Sequence, residues 1–223
     1  VGPGTGAAMT RRFAAAGYRV AMIARNTERL SALEAEIDGA TGYACDVSDE
    51  AAVSQTLEQI SSDLGQPNVF IHNAVAATFG NFMEIEPRDF NHHFQVNAMG
   101  LLYFARALAP KMIEAGEGVI MATGNTSALR GKANFASFAP TKAAQRILAE
   151  SIARELGPKG VHVAYVVIDA VIDLDWTRKM MPDKPDDFFI QPSGIAETVF
   201  NVAHQDRSAW SFNVEVRPFG EVW

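Results

Sequence analysis

Features that are scarce in this sequence already exclude several classes of protein. Cys45 is the only cysteine in 223 residues, so the chain forms no internal disulfide. The longest apolar run, 163–168, is far shorter than the roughly 20 residues that a membrane-spanning helix needs. The net charge is -7 without any basic cluster, which argues against nucleic acid or an anionic membrane as a partner. No leader with a charged and then an apolar part precedes the first predicted helix, so we expect a cytoplasmic protein.

The composition favours a single domain over residues 1–223. Apolar residues make up 48% and charged residues 20% of the chain. A chain of this length and composition can bury a substantial core but is short for two domains. It contains no internal repeat and no low-complexity tract.

Short apolar runs alternate with segments whose apolar residues recur at helical spacing. Predicted strands cover 20–24, 41–44, 69–71, 119–122, 161–168 and 210–216. Predicted helices follow the glycines near the start and lie around 30–37, 53–60, 87–114, 140–152 and 195–202. Strands that alternate with helices predict βαβ units and hence an α/β fold with a parallel sheet.

The stretch 118–156 has the layout of a site. A buried strand closes at Gly124, a polar turn follows, and a helix opens around Pro140, which is tolerated in a first turn. Phe138 and Lys142 stand four residues apart, so they project from one face of that helix. This strand, turn and helix therefore supply the first candidates for chemistry.

A second candidate site lies at the start of the chain, where Gly2, Gly4, Thr5 and Gly6 fall within six residues. Glycines allow backbone N–H groups to approach a pyrophosphate at the positive end of the helix that follows. Such a pattern alone is more often a plain turn, but the next predicted strand completes part of a βαβ unit behind it. We therefore assign these four residues to a dinucleotide cradle.

These two regions give the chain its resemblance to the short-chain dehydrogenase/reductase family. The signature of that family is Tyr-x-x-x-Lys with a catalytic Ser thirteen residues before the Tyr. Here the lysine is Lys142, the tyrosine position holds Phe138 and the serine position holds Asn125. The matching motifs extend from Gly2 to about Val199, and the resemblance implies a doubly wound (Rossmann) three-layer fold with a parallel sheet in a single domain.

The family begins with a strand that leads into Gly-x-x-x-Gly-x-Gly. If Gly4 and Gly6 are the last two glycines of that motif, the first lies just before Val1. A doubly wound sheet without its central first strand would leave ladder groups of the neighbouring strands unpaired. We therefore expect a first strand upstream of Val1, beside the predicted strand at 20–24.

The cofactor is implied by the end of that predicted strand. The family commonly places a carboxylate there, which binds both ribose hydroxyls of NAD. This chain has Ala24 at that position, followed by Arg25 and Asn26, and a guanidinium there can pair with the 2′-phosphate of NADP(H). We therefore expect NADP(H), with NAD as the second candidate. The alternative for Arg25 is a solvated residue at a strand end.

Further cofactor contacts are implied by position in the family pattern. Asp46 and Val47 would flank the adenine, although Asp46 is equally suited to cap the next helix. Asn73 and Ala74 match the family's Asn-Asn-Ala-Gly, in which the asparagine orders the turn beside the cofactor. His72 departs from that motif, and a lone histidine at a strand end is more often a hydrogen-bonded structural residue than a proton carrier.

The end of the fifth predicted strand also departs from the family. There the family has Pro-Gly and then a threonine near the nicotinamide amide, whereas this chain has Ile168, Asp169 and Asp173. By its position, Ile168 belongs with the cofactor contacts. Asn97 matches the helical asparagine that in the family holds a water near the lysine, and an ordinary buried asparagine is the alternative.

Two replacements remove the hydroxyls with which the family protonates a product alkoxide. Phe138 has no exchangeable proton, and Asn125 donates hydrogen bonds but is not an acid. Lys142 keeps its role at the nicotinamide ribose hydroxyls. We prefer Asp169 as the substitute acid, because a carboxyl group near an apolar pocket can carry a proton. Its alternative is a capping or turn role.

The segment 173–192 is polar, interrupted by prolines and supplied with Met and aromatic residues. In the family this region is the mobile substrate lid, and such side chains suit an adaptable apolar pocket. A core-packing loop is the alternative. His92 and His93 are adjacent on a helix and cannot face one metal ion, so no metal site is predicted. The resemblance also implies a homodimer or homotetramer built through the helix after Lys142 and the helix before it.

Two functions therefore stay open. The first is an NADP(H)-dependent oxidoreductase for a small organic carbonyl or alcohol, with a non-standard proton donor. The second is a catalytically silent dinucleotide-binding protein that acts as a sensor or as a subunit of an oligomer. The cofactor motifs fit both functions, whereas Phe138 and Asn125 favour the second.

Overall fold

The computed structural model describes residues 1–220 and confirms an α/β fold with a parallel sheet. Its helices are α1 (Thr5–Ala15), α2 (Thr27–Glu36), α3 (Glu50–Leu64), α4 (Pro87–Phe94), α5 (Gly100–Ala115), α6 (Phe138–Leu156), α7 (Asp175–Met180) and α8 (Pro192–Ala203). Its strands are β1 (Val20–Ala24), β2 (Ala40–Ala44), β3 (Val69–His72), β4 (Gly118–Asn125), β5 (Val161–Ile168), β6 (Val171–Ile172), β7 (Phe189–Ile190) and β8 (Asn213–Val216). The named strands pair in parallel.

Three layers are present, as in a doubly wound fold. The main sheet has the strand order β3-β4-β5-β8, and β1 pairs with β2. β5 is buried along its whole length, as its uninterrupted apolar sequence predicts for a strand covered on both faces. Its alternate residues pack with α3, α5 and α6 on one face and with α1 and α8 on the other.

A cleft of about 1150 Å³ lies between β1 and β3. Both strands line it, together with apolar side chains such as Phe13 of α1, Leu57 of α3 and Phe104 of α5. Within residues 1–220, no strand pairs with the edges of β1 and β3 that face the cleft. The backbone nitrogen of Val1 donates to the carbonyl of Ile23 at the rim of the cleft. A first strand upstream of Val1 stays a prediction, and this cleft is where it would lie.

The predicted helix at 87–114 is interrupted. A π-helical segment, Gln95–Met99, joins α4 to α5. Asn97 lies in this segment, and its side chain bonds to Ala76 and Thr141, which belong to other parts of the chain. The wider turn therefore accommodates a polar side chain wedged between elements, a feature that apolar periodicity does not record.

The structure also changes the predicted start of the last strand and shows which elements the predicted lid contains. β8 begins at Asn213 instead of residue 210, because Arg207–Ala209 form a 3-10 turn and Trp210 stacks on His162 with ring centroids 4.9 Å apart. The predicted lid at 173–192, here called the lid segment, contains α7 and β7. None of the helices within residues 1–220 combines the length and the apolar character that crossing a membrane would take.

Candidate active site

The N-terminus of α1 forms an open cradle beside the cleft. The helix begins at Thr5 after Gly4, and no side chain caps it, so its first N–H groups and the positive end of its dipole are available. A Cβ atom placed on Gly2 would have nothing within 4 Å. The Oγ1 of Thr5 is buried and has no hydrogen-bond partner within residues 1–220. An unpaired hydroxyl at a helix N-terminus fits a phosphate oxygen, which would accept its hydrogen bond.

Neighbouring groups also pack closely against Gly4 and Gly6. A Cβ atom on Gly4 would overlap a methyl group of Leu174, which the lid segment places over the turn. A Cβ atom on Gly6 would lie 3.2 Å from the Cα of Val1 and 3.4 Å from the Nδ2 of Asn73. The lid segment therefore touches the cradle, and Leu174 shares the lining of the cleft.

Charged and polar groups stand together where β1 and β2 end. Arg25 is exposed, and its Nη1 lies 3.8 Å from Oδ2 of Asp46. Asn26 caps α2 by accepting a hydrogen bond from the N–H of Arg29 at 2.8 Å. The hydroxyl and N–H of Ser48 donate to Asp46 at 2.6 and 3.0 Å. These hydrogen bonds hold the pKa of the Asp46 carboxyl below its usual value.

The alternative in which Asp46 caps α3 is wrong. The cap is Asp49, whose Oδ1 accepts hydrogen bonds from the N–H groups of Ala51 and Ala52 at 2.9 and 3.1 Å. Asp46 and Val47 both line the cleft. They remain candidates for contact with a bound base.

The end of β3 is tied to β4 and lines the cleft. The hydroxyl of Thr123 donates to Oδ1 of Asn73 at 2.7 Å, and both Asn73 and Ala74 are cleft residues. His72 is buried, and its Nε2 lies 3.1 Å from the carbonyl oxygen of Val96. Burial lowers the pKa of His72 to about 3. His72 is therefore a neutral structural residue, which agrees with the interpretation of its sequence context.

Asn97 uses its whole side-chain amide within the protein. Its Nδ2 donates to the carbonyl of Ala76 and to the hydroxyl of Thr141, both at 2.9 Å, and its Oδ1 accepts from the N–H of Ala76 at 3.0 Å. These bonds connect the π-helical segment to the loop after β3 and to α6. The expected role of Asn97 in holding a water stays a prediction.

The residues that replace the family's two hydroxyls both serve local structure. Asn125 accepts a hydrogen bond from the N–H of Ser127 at 3.1 Å and thereby caps a 3-10 turn. Phe138 is 4% exposed. Its ring packs edge to face on Phe79 with centroids 5.6 Å apart, and the ring of Phe135 lies 6.3 Å away. An aromatic cluster therefore occupies the position of the phenol.

Lys142 is directed into the core. Its Nζ donates to the carbonyl of Thr123 at 2.9 Å and to Oε1 of Gln145. Burial lowers its pKa to about 7. The cleft lining within residues 1–220 does not include Lys142. Its expected contact with a nucleotide ribose stays a prediction.

Ile168 and Asp169 also lie outside the described cleft lining. Ile168 is buried in the core beside residues of α8. The N–H of Asp169 donates to the carbonyl of Val216 at 2.9 Å, and its Oδ2 lies 3.9 Å from Nη2 of Arg217. The acid role of Asp169 and the cofactor contact of Ile168 stay predictions.

One arginine anchors the lid segment. Arg178 of α7 forms a two-pronged ion pair with Asp173 at 2.6 and 2.9 Å and donates to Asp186 at 2.6 Å. Gln191 donates to the same Asp173 carboxylate at 2.7 Å. The hydrogen bonds from Arg178 and Gln191 lower the pKa of Asp173 to about 2. Asp173, which replaces a threonine of the family pattern, is thus part of the lid's own anchor.

A ring of polar groups beside Phe138, in which His93 and Ser137 are buried, was not predicted. Ser137 donates to the carbonyl of Thr78 at 2.9 Å and lies 3.2 Å from Nδ1 of His93, whose Nε2 lies 3.2 Å from the Thr78 hydroxyl. This closed ring fixes the loop after β3 against α4 and α6. Within residues 1–220, no group of three or more His, Cys, Asp or Glu residues could hold a metal ion.

Gln145 and Tyr165, which surround Lys142, were also missed. Gln145 had a usable signal, since it is a polar residue three positions after Lys142 on an otherwise apolar helix face. Tyr165 had a weaker one, as the only residue with a hydroxyl in the apolar strand β5.

Known proteins resemble this chain over most of its length. A family model for short chain dehydrogenases matches residues 1–183. The D-threitol dehydrogenase of Mycolicibacterium smegmatis is 27% identical over 164 residues, which cover 72% of this chain and 63% of that protein, less than two thirds of it. The 3-oxoacyl-[acyl-carrier-protein] reductase of Bos taurus is 29% identical over 179 residues, which cover 79% of this chain and 75% of that protein.

Solved structures agree with this assignment. A metagenomic short-chain oxidoreductase in complex with NADP is 28% identical, with a TM-score of 0.85 over 98% of this chain and 93% of that one. The parallel sheet, the glycine turn before α1 and the lysine on α6 occur here in the order that the family motifs require. The chain therefore belongs to the short-chain dehydrogenase/reductase family.

Proposed function

We propose that this chain is a nicotinamide-dependent oxidoreductase that favours NADP(H) and acts on a small organic carbonyl or alcohol. The observation that carries this proposal is the cradle, where an open Gly2, a buried unpaired Thr5 hydroxyl and an uncapped helix N-terminus coincide. A phosphate group supplies the acceptor that the hydroxyl lacks. When bound, a nicotinamide dinucleotide supplies a hydride for the carbonyl carbon. The related metagenomic oxidoreductase is a complex with NADP.

The preference for NADP(H) depends on Arg25. Its guanidinium is exposed, and 3.8 Å separates it from Asp46, which is a weak pairing at the surface. A 2′-phosphate offers the planar guanidinium a better, bidentate partner. Ala24, at the end of β1, presents no carboxylate for the ribose hydroxyls of NAD. Arg25 is therefore the residue that separates the two cofactors.

The chemistry depends on a replacement for the missing phenol. Loss of a positioned acid typically costs about 10²–10⁴ in rate, or about 3 to 5 kcal/mol of barrier, so we expect slow turnover. Asp169 is the candidate acid because it follows β5 at the carboxyl end of the sheet, where ligands bind in open α/β folds. It would have to turn from Arg217 to the substrate to deliver a proton.

A silent dinucleotide-binding protein is the second candidate, and the packing of Phe138 favours it. Phe138 lies in an aromatic cluster with Phe79 and Phe135, and the side-chain oxygen of Asn125 caps a turn. Neither residue supplies an acid. A chain of this kind keeps the nucleotide cradle and uses it to sense a nucleotide or to stabilise a larger assembly.

Titration and turnover distinguish the two candidates. We expect the full-length protein to bind NADPH more tightly than NADH in a fluorescence titration, and Arg25→Ala to weaken NADPH by about tenfold while NADH changes little. Arg154→Ala, which breaks an exposed ion pair on α6, is the matched control. Equal affinities for the two cofactors in the unmodified protein would contradict the assigned preference.

Carbonyl substrates are then screened by loss of nicotinamide absorbance. Turnover that disappears in Asp169→Asn supports the oxidoreductase with an unusual acid. Turnover that appears only in Phe138→Tyr supports the silent protein, and Phe135→Tyr provides a phenol at the neighbouring ring as a control. If neither cofactor binds, both candidates fail.

We also propose that the protein forms a homodimer or homotetramer through α5 and α6. Both helices expose an isoleucine, Ile113 at 37% and Ile147 at 56%. Light scattering is expected to give a dimer or tetramer that Ile147→Lys dissociates, since a buried lysine would lack a partner. A monomer in the unmodified protein would contradict this assembly.

A further inference from the structure

Lys142 and Gln145 occupy one turn of α6 and are both buried against the sheet. Lys142 is 2% exposed and Gln145 is fully buried. The Nζ of Lys142 contacts Oε1 of Gln145 and the carbonyl of Thr123 in β4. The amine therefore lies in a seat made of neutral oxygen atoms from the protein.

Tyr165 of β5 contacts this seat from the sheet, through Gln145. Its hydroxyl donates to Oε1 of Gln145 at 3.1 Å and lies 3.5 Å from the carbonyl oxygen of Lys142. The strand β4 makes room for it, because a Cβ atom on Gly124 would overlap the hydroxyl and come within 2.5 Å of Cε1 of the ring. Three residues on three different elements thus fit together around the amine.

The orientation of the Gln145 amide is set by its neighbours. Its oxygen must face Lys142, since the NH₂ group in that place would oppose the donors of the amine. The Nε2 is then left buried without a hydrogen-bond partner within residues 1–220. A buried donor without a partner lowers the stability of the fold, so this cluster is not the arrangement that would stabilise it most.

No carboxylate pairs with Lys142 in the part of the chain that the structure describes. The titratable groups that interact with the cluster are His72 of β3, Tyr165 of β5 and Arg146 of α6. Burial lowers the pKa of Lys142 to about 7 and raises the pKa of the Tyr165 hydroxyl above its usual value. Near neutral pH the amine therefore exchanges between charged and neutral forms, while Tyr165 remains a hydrogen-bond donor.

We propose that Gln145 and Tyr165 are positioning residues that hold the amine of Lys142 in a retracted seat, in which its hydrogen bonds go to the protein itself. To reach the ribose of a bound nucleotide, the amine must leave Oε1 of Gln145 and exchange it for the ribose hydroxyls. The seat therefore competes with a bound nucleotide for this lysine. This second step rests on the proposed function, whereas the retraction itself concerns only residues of this chain.

The retraction is tested without nucleotide, by following the Cε and Nζ resonances of Lys142 with pH in the full-length protein. Gln145→Leu removes the seat's oxygen at similar volume. If the amine is then released toward solvent, its titration midpoint rises from about 7 toward the ordinary lysine value of about 10.4. If the amine stays in the core with one acceptor fewer, the midpoint stays or falls, and the proposal is overturned.

Two further variants keep the test decisive. Tyr165→Phe removes only a hydroxyl and is expected to raise the midpoint by a smaller amount; it replaces Gln145→Leu if that protein does not fold. Gln95→Leu breaks a matched bond, in which Oε1 of Gln95 accepts from the hydroxyl of Tyr103 at 3.2 Å, and should leave the Lys142 titration unchanged. A shift of equal size in Gln95→Leu would contradict a specific seat.

Nucleotide affinity separates this proposal from the proposed function. We expect NADPH affinity of the unmodified protein to fall several-fold from pH 6 to pH 9 as the amine loses its charge, and Gln145→Leu to remove most of that fall. If the midpoint rises in Gln145→Leu but no variant binds NADPH, the seat stands and the proposed function fails. If NADPH binds with the same pH dependence in both proteins, the competition is disproved.

Discussion

The two ends of the candidate site differ in how their polar groups are satisfied. At the nucleotide end, the Thr5 hydroxyl has no partner among the described residues, Gly2 borders open space, and Arg25 is only loosely paired. At the reaction end, Asn97 and Lys142 make their hydrogen bonds to the protein itself. The nucleotide end therefore has polar groups available to an outside ligand, whereas Asn97 and Lys142 at the reaction end already bond to the protein.

This difference separates binding from reaction. A preformed nucleotide end can bind a phosphate without breaking any internal hydrogen bond. The free-energy cost of preparing this end for binding is therefore small. At the reaction end, the side chains of Asn97 and Lys142 must first leave partners inside the protein, which costs roughly 1 to 3 kcal/mol for each buried group. Contact of Lys142 with a nucleotide ribose, and chemistry beside it, therefore require a rearrangement that phosphate binding at the cradle does not.

The largest expected effect is the difference in stability between two variants, each of which adds one methyl group at one end of the site. Gly124→Ala places a Cβ atom against the rigid ring of Tyr165, with 2.5 Å to Cε1, so we expect the free energy of unfolding to fall by about 3 kcal/mol. Gly2→Ala meets nothing within 4 Å and should change it by less than about 0.5 kcal/mol. Urea unfolding of both variants provides the measurement.

The same pair tests which end is open. Gly2→Ala, although harmless to stability, should weaken NADPH because its methyl group enters the cradle. If Gly124→Ala unfolds at the same urea concentration as the unmodified protein, the reaction end has more free volume than its contacts indicate. The contrast between the ends would then be lost.

A smaller effect should come from two threonines of α1 that differ in their bonding. Thr5→Val removes an unpaired buried hydroxyl, so the unfolding free energy should stay equal or rise, while NADPH affinity falls about tenfold, or about 1.4 kcal/mol. Thr10→Val removes a hydroxyl that donates to the carbonyl of Gly6 at 3.0 Å and should cost about 1 kcal/mol of stability. Calorimetric binding and urea unfolding give both quantities. Unchanged NADPH affinity in Thr5→Val would remove the main support for the cradle.

The sequence predicted those features that depend on local pattern. The apolar run of β5 is long enough to identify a buried strand, and its predicted bounds are the observed ones. The spacing of Phe138 and Lys142 placed them at the start of one helix, as found. Periodicity and turn residues act over a few positions, so they can be recognised without knowing what packs against them.

The direction of the Lys142 side chain could not be predicted in this way. Its seat is made by Thr123, nineteen residues before it, and by Gln145, which Tyr165 holds from twenty residues further on. Those elements meet only in the folded protein, where β4 pairs with β5 in parallel and α6 packs against both strands. The π-helical segment could not be predicted for a similar reason. The hydrogen-bond partners of Asn97 lie in other parts of the chain.

The choice between two neighbouring aspartates could have been made from the sequence. Asp49 stands directly before Glu50, the first residue of α3, whereas Asp46 is three residues further away. A cap must be adjacent to the helix that it caps, because its carboxylate accepts from the second or third N–H group. The nearer residue was therefore the better candidate from spacing alone.

The smallest effect should come from the lid segment, which covers the nucleotide end through Leu174 over Gly4 and is held together by the ion pair of Asp173 with Arg178. Arg178→Gln should lower the unfolding free energy by less than about 1 kcal/mol, because the pair is partly exposed. It should nevertheless accelerate tryptic cleavage at Lys179, which Met180 follows, since local opening needs only the lid contacts to break. Arg154→Gln, which breaks an exposed ion pair with Glu150 on α6, is the matched control and should leave that cleavage unchanged.

Lowering the pH is an independent way to break the ion pair between Asp173 and Arg178. The partners of Asp173 lower its pKa to about 2 from an ordinary value of 3.8, so the folded lid binds this proton less readily than the unfolded chain does. The lid is therefore stabilised above about pH 4 and loses that stabilisation as the pH falls from about 4 to about 2. Hydrogen exchange of the lid amides relative to those of β5 should increase over that interval in the unmodified protein and not in Arg178→Gln. If exchange in both proteins rises together, the ion pair does not hold the lid, and the packing of Leu174 over Gly4 is what keeps it on the nucleotide end.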